Sequence, residues 1–137
     1  MPGLILEDDK MCFACGTRNS AGLKLQFILE GKTLKTKFRF LKIHQGFKDI
    51  VHGGLIGLVL DEVMVNLLWK LNIRAISAEF NVRLRKPCPV EKDLEFTGWI
   101  EKEDKRIIYT RSSVQDAEGV IYADAQAKCV RVEKKND

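Results

Sequence analysis

The sequence predicts an α+β fold in which an antiparallel sheet of about six strands wraps around one long central helix. Three observations predict it. Two alternating segments come first, then one long apolar segment of helical length, then four more alternating segments. The long segment is apolar around nearly its whole circumference, as expected of a helix covered on most sides. The strands after it are joined by short turns, which favours antiparallel pairing because parallel neighbours need long crossovers. One helix packed on one face of such a sheet is an α+β arrangement.

Each element has its own signal. Residues 10–22 are a loop rich in Gly, Asn, Ser and Cys, and residues 23–30 alternate at first and read as a strand. Gly31-Lys32 makes the turn. In residues 33–41, Leu34, Thr36, Phe38 and Phe40 fall on one side and Lys35, Lys37 and Arg39 on the other. Gln45-Gly46-Phe47-Lys48-Asp49 is a loop running into a glycine pair. The helix opens near Gly53 or Gly54 and ends near Leu71-Asn72, about five turns at ~3.6 residues per turn. In residues 73–86, Ile76, Ala78, Phe80, Val82 and Leu84 share one face, and Ser77, Glu79, Asn81, Arg83 and Arg85 share the other. Pro87-Cys88-Pro89 stops that strand, since proline cannot donate to a ladder. Residues 93–102, 106–115 and 120–132 follow as strands, separated by Lys102-Glu103-Asp104-Lys105 and by a hairpin turn at Asp116-Ala117-Glu118-Gly119. Lys134 onward is a polar tail.

Composition bounds the function. A chain of 137 residues with 45% hydrophobic and 31% charged residues reads as one globular domain, 1–137, able to bury a core. The net charge of +4 is spread along the chain, with short clusters at Arg83-Leu84-Arg85-Lys86 and Glu133-Lys134-Lys135. That argues against nucleic acid as a partner and suits an anionic small molecule. The N-terminus lacks the basic start and apolar core of a signal peptide, and the apolar stretch from Leu55 to Leu71 is broken by Asp61, Glu62, Asn66 and Lys70. The expectation is therefore a cytoplasmic protein that does not engage a membrane. Its four cysteines are expected as reduced thiols.

The most informative segment is Val51-His52-Gly53-Gly54-Leu55-Ile56-Gly57-Leu58-Val59-Leu60-Asp61-Glu62. It sets two acids inside an otherwise apolar helix, and a carboxylate there costs free energy unless it is paired or used. The Gly-Gly opening leaves bare backbone N–H groups at the positive end of the helix. N–H donors and a carboxylate two turns on are the parts of a site for a polarised carbonyl. Glu62 points about 100° away from Asp61 round the helix and reads as a supporting or subunit-contact residue. Arg83, Arg85 and Lys86 are suited either to phosphate groups or to a solvated strand face.

With the loop Cys12-Phe13-Ala14-Cys15-Gly16-Thr17-Arg18-Asn19-Ser20-Ala21-Gly22-Leu23, with Ser77-Ala78-Glu79-Phe80-Asn81-Val82 and with Arg85-Lys86-Pro87, this segment resembles the hotdog-fold acyl-CoA thioesterases, nearest to the phenylacetate-pathway type. The resemblance covers roughly residues 12–132. It implies hydrolysis of acyl-CoA thioesters without a cofactor or metal. The Gly53 N–H would polarise the thioester oxygen, Asp61 would act as general base or nucleophile, and Ser77 would help place the attacking water. His52 would support the loop geometry. It also implies homodimers, possibly assembled into tetramers, in which each site takes the glycine from one chain and the carboxylate from the other. Alongside these catalytic residues the expected substrate-binding set is His52, Gly54, Glu62, Arg83, Arg85 and Lys86. Leu55, Leu58, Val59 and Trp69 are candidates to line an acyl tunnel. Some members carry Asn six residues before the motif histidine, where this chain has Gly46; Gln45 and His44 are the neighbours available for that role.

Two other functions fit the same fold: a non-catalytic acyl-CoA binding or sensing protein, and a dehydratase with His52 as its histidine. The pair Cys12 and Cys15 has the spacing of a metal or redox motif. No second pair accompanies it, and it lies in a Gly/Asn loop rather than at a strand-to-helix junction. Loop packing near the sheet edge is the expectation, with no metal.

Overall fold

The computed structural model describes residues 4–132. Six strands form one antiparallel sheet: β1 (Ile28–Glu30), β2 (Thr33–Arg39), β3 (Ala75–Leu84), β4 (Asp93–Glu103), β5 (Ile107–Asp116) and β6 (Ile121–Arg131). Their spatial order is β1-β2-β4-β5-β6-β3. The helix α1 (Gly53–Lys70) lies across the concave face of this sheet and packs on every strand from β2 to β6. This is the α+β, hotdog arrangement that the sequence predicts.

The helix bounds follow from local chemistry. His52 is the N-cap: its Nδ1 accepts the Gly54 N–H at 2.9 Å. At the other end Asn72 takes a positive φ of 63°. The Asn72 N–H then reaches the Trp69 carbonyl at 3.0 Å and the Ile73 N–H reaches Leu68 at 2.8 Å, which makes a Schellman cap. Between the caps, Ile56, Val59, Leu60, Val63, Met64, Leu67 and Leu68 are buried against Leu34, Phe96, Ile108 and Val114 of the sheet. Small residues let the helix approach. Ala123, Ala125 and Ala127 line β6 beneath it, and a Cβ on Gly98 would stand 2.9 Å from the Val63 carbonyl oxygen. The opposite side of α1 is half-buried rather than covered, with Asp61, Glu62, Val65, Asn66 and Trp69 along it.

Two elements depart from the expected pattern. The strand over 23–30 shrinks to the three residues of β1. Leu23 and Leu25 instead donate to the carbonyls of Phe13 and Ala14, both at 2.9 Å, and Lys24 has a φ of 54°, which regular strand does not allow. The alternation still serves packing, because Leu25 is buried.

The second departure is a bulge in β3. Ser77 pairs with Cys129, but Glu79 pairs with Lys128, so Ala78 is an extra residue. Strict alternation would put Ser77 on the face opposite Phe80, Val82 and Leu84. The bulge restores them to one side. Ser77 sits opposite the buried Cys129 on the helix side, and Phe80, Val82 and Leu84 sit opposite Ala127, Ala125 and Ala123 on that same side.

Candidate functional site

The start of α1 follows a tight loop. The Gly46 N–H donates to the Ile50 carbonyl at 2.9 Å, the Val51 N–H to Cys88 at 2.8 Å and the His52 N–H to His44 at 2.9 Å. These bonds hold the chain as it enters the helix. Of the first four helical N–H groups, Gly54 donates to the His52 ring, and Leu55 and Ile56 both reach the His52 carbonyl, at 2.9 and 3.2 Å. Among the described residues the Gly53 N–H has no partner. The expected pair of bare donors is therefore one donor, because the histidine consumes the Gly54 N–H. A ring nitrogen that accepts a hydrogen bond carries no proton, so Nδ1 of His52 serves the cap.

Gly53 borders a cavity of about 670 Å³ lined by Gly46, Phe47, Ile50, Val51, His52, Ile56, Leu84, Arg85, Lys86, Pro87, Cys88 and Tyr122. Its walls are mostly apolar, with two cations at the rim. Phe47 is 87% exposed there. Arg85 is held by Asp124 through its guanidinium, and the Arg85 and Lys86 N–H groups both donate to the Tyr122 carbonyl, at 2.8 and 3.1 Å. Arg83 does not join them. It lies on the face of β3 opposite Val82 and Leu84 and borders none of this cavity, whereas Arg85 follows the end of the strand.

Asp61 lies two turns along the helix in a different cavity, of about 580 Å³, with Glu62, Asn66, Trp69, Ser77, Cys12 and Cys15 around it. Burial pushes its carboxyl above the ordinary value and the neighbouring Glu62 charge adds to this, while the hydrogen bond from Ser77 works against both. Ser77 Oγ donates to Asp61 Oδ1 at 3.3 Å, a contact that exists because of the β3 bulge. A carboxylate with a raised pKa and one orienting hydroxyl is suited to take a proton from water.

Glu62 borders the same cavity as Asp61 but turns its carboxylate to the N-terminal loop. Its Oε1 accepts from Asn66 Nδ2 at 2.5 Å, from Cys15 Sγ at 3.1 Å and from Cys12 Sγ at 3.5 Å. The Cys12/Cys15 loop is thus packed on α1 beside Asp61, next to the start of the edge strand β3. Burial first, then the hydrogen bond and charge of Glu62, then Cys12, push the Cys15 thiol far above its ordinary range. All four cysteines are free thiols. The sequence had no local signal for this grouping, except that Asn66 stands one turn after Glu62.

The other expected neighbours are committed elsewhere. Gln45 Oε1 accepts the Asp49 N–H at 2.9 Å, and His44 Nδ1 accepts the Leu41 N–H at 2.8 Å while its ring meets Phe40 edge-on. Neither borders the cavity at Gly53. A Cβ on Gly46 would stand 3.4 Å from the His52 Cα, in ordinary contact. Of the expected tunnel residues, Val59 is fully buried in the core and Trp69 borders the Asp61 cavity under the Arg74 guanidinium. Ile56, not Leu55 or Leu58, lines the cavity at Gly53.

Solved structures share this architecture. A thioesterase superfamily protein is 22% identical with a TM-score of 0.83 over 88% of this chain, which spans 60% of that protein's length. The protein smu.793 of Streptococcus mutans UA159, solved bound to acetyl CoA, is 13% identical with a TM-score of 0.73, over 82% of this chain and 91% of that one. The E. coli PaaI protein from the phenylacetic acid degradation operon is 13% identical with a TM-score of 0.74, over 80% and 84%. No curated protein sequence matches the chain significantly. At these identities the structures establish the fold alone. The sequence itself adds the family: residues 48–123, more than half of the chain, match the thioesterase superfamily, and the chain belongs to it.

Proposed function

We propose that this chain hydrolyses acyl-CoA thioesters to free acid and coenzyme A. In this reading residues 1–137 form one thioesterase-like domain that works as a homodimer. Each site would combine Gly53 of one subunit with Asp61 of the partner subunit. The observation that carries the reading is the Gly53 N–H, a helix-start donor without a partner among the described residues, at the wall of an apolar cavity with Arg85 and Lys86 beside it. Thioester hydrolysis passes through a tetrahedral oxyanion, and a fixed N–H at a helix N-terminus stabilises that charge where it develops. Asp61, oriented by Ser77, takes a proton from water as the water oxygen attacks the carbonyl carbon. The carbon–sulfur bond then breaks, and the coenzyme A sulfur leaves and is protonated. Phe47, Ile56 and Leu84 offer the apolar wall for the acyl and pantetheine chains, and Arg85 and Lys86 offer the phosphate partners.

Three points support a shared site. Gly53 and Asp61 are about 12 Å apart along the helix at ~1.5 Å per residue. They also border separate cavities of one chain. The edge strand β3, which carries Ser77 and leads to Arg85, is free on its outer side for a second copy. The acetyl CoA bound to the Streptococcus mutans protein agrees with the ligand class. The dehydratase reading loses support from His52, whose Nδ1 caps the helix. Free thiols at all four cysteines suit the reducing cytoplasm.

The test is thiol release over short, medium-chain and aromatic acyl-CoAs, with wild type and Asp61→Asn. The wild type is expected to hydrolyse at least one class. The variant should keep its thermal transition and lose about 10²–10⁴-fold in kcat, with little change in KM. Undiminished hydrolysis by Asp61→Asn would contradict the mechanism. A wild type inert on the whole panel would leave a binding protein.

A further inference from the structure

Cys12 and Cys15 play no part in the hydrolysis proposed above, and Glu62 enters it only through its charge beside Asp61. They come from two distant parts of the chain and meet at one point. The thiols sit in a tight turn: the Gly16 N–H donates to the Cys12 carbonyl at 2.8 Å, and the Cys15 N–H approaches Cys12 Sγ at 3.5 Å. A Cβ on Gly16 would stand 2.5 Å from both the Cys12 nitrogen and the Lys10 carbonyl oxygen, so the turn closes only with glycine there. From the helix, Glu62 brings a carboxylate oxygen to the same place, and all three ligand atoms lie within 4.8 Å of one another.

The sulfur–oxygen spacings are close to those of a coordination shell. With Zn–S near 2.3 Å and Zn–O near 2.0 Å, a tetrahedral ion sets its sulfur and oxygen ligands about 3.5 Å apart. Cys12 Sγ and Glu62 Oε1 are 3.5 Å apart, and Cys15 Sγ and Glu62 Oε1 are 3.1 Å apart. As a set of hydrogen bonds the arrangement is poor. A single carboxylate oxygen, with two lone pairs, faces an amide donor at 2.5 Å and two weak thiol donors. As a ligand set it is coherent. Two thiolates and a carboxylate match a borderline-soft divalent ion, and Asn66 Nδ2, which donates to the same carboxylate oxygen and lies 3.8 Å from Cys15 Sγ, fixes where that oxygen sits.

We infer that Cys12, Cys15 and Glu62 form a zinc-binding site that fastens the N-terminal loop to α1, one residue from Asp61. Binding replaces the two thiol protons, which pass to solvent. The fourth position faces the cavity bordered by Asp61 and Ser77, where water completes the shell. The sequence expectation of no metal rested on the lack of a second cysteine pair; the fold supplies the third ligand from the helix.

The site is tested on the full chain, reduced and stripped of metal, with zinc alone and with cobalt(II) as a spectroscopic substitute. Zinc is expected to bind at one ion per chain in competition with a chromophoric chelator. Cobalt(II) is expected to give a thiolate-to-metal charge-transfer band and tetrahedral visible bands in the wild type. Cys12→Ser and Cys15→Ser should each weaken zinc binding by at least about a hundredfold, and Glu62→Gln by about tenfold or more. Thiol release by the metal-stripped enzyme is measured in parallel, so failure of this inference leaves the hydrolase reading untouched. A wild type that neither competes for zinc nor shows the cobalt–thiolate band overturns the inference. So does a band of undiminished intensity in the Cys12→Ser/Cys15→Ser double variant, which would place the ion on Cys88 or Cys129.

Discussion

His52 and Gly53 divide the work at the helix start. The His52 ring accepts the Gly54 N–H, and the Gly53 N–H has no partner among the described residues, as the proposed oxyanion donor requires. This division yields an unusually clean variant. Proline is favoured at the first position of a helix, where it removes an N–H that the helix does not use. His52 already has φ −57° and ψ 127°, a conformation that a following proline accepts. The added ring atoms would press on Leu84 Cδ1, the mobile end of a side chain, 2.7 Å from a Cβ at this position. Gly53→Pro is therefore expected to fold with a thermal midpoint within a few degrees of wild type. Its kcat should fall by about 10²–10³-fold, the typical effect of deleting one oxyanion donor. Steady-state kinetics beside a thermal melt check this, and an unchanged kcat would remove Gly53 from the mechanism.

Elements in this fold are tied by a few polar devices. The β5–β6 hairpin closes on Asp116, whose side chain is 3% exposed. Burial by itself would raise its pKa. The N–H of Val120, the hydroxyl of Tyr122, the N–H of Glu118 and the Lys92 ammonium together hold it below the ordinary carboxylate value. A carboxylate depressed in the folded state contributes stability that is present above its unfolded pKa and is lost as pH falls through its folded one. Asp116→Asn should thus lower the melting temperature by about 5 °C or more at pH 7. The gap to wild type should narrow as pH drops below about 4, and melts across pH check it. A pH-independent gap would show that the lost stability is shape rather than charge.

This hairpin also marks how far sequence reasoning reaches. Its turn at Asp116-Ala117-Glu118-Gly119 was legible, as were the helix bounds and the last three strands, because turn residues and the two periodicities are local signals. The shortened β1 and the bulge at Ala78 were not, because both depend on which distant segment supplies the hydrogen-bonding partner. The same boundary runs through the site. Gly53 and Asp61 stand out on one helix. The side Ser77 faces and the meeting of Cys12, Cys15 and Glu62 exist only once the sheet has curled and the N-terminal loop has closed over α1.

At the scale of the molecule, the proposed function rests on parts spread so that one chain would not complete a site. Gly53 and its apolar cavity lie at the start of α1, and Asp61 lies two turns on in another cavity. The ten-residue β3 is an edge strand, with Phe80 and Leu84 exposed on it at 38% and 58%. Long exposed edges are normally covered in native proteins, and the proposed homodimer would cover this one with a second copy across a two-fold axis. The measurement that tests the shared site most directly is complementation. Gly53→Pro and Asp61→Asn chains, each inactive alone, are co-expressed with different tags and the mixed dimer is purified. One of its two sites then combines an intact Gly53 with an intact Asp61 of the partner subunit. The mixed dimer should recover about half of the wild-type thiol-release rate, one site in two. A mixed dimer as inactive as its parents would mean that Gly53 and Asp61 act within one chain, contrary to this account.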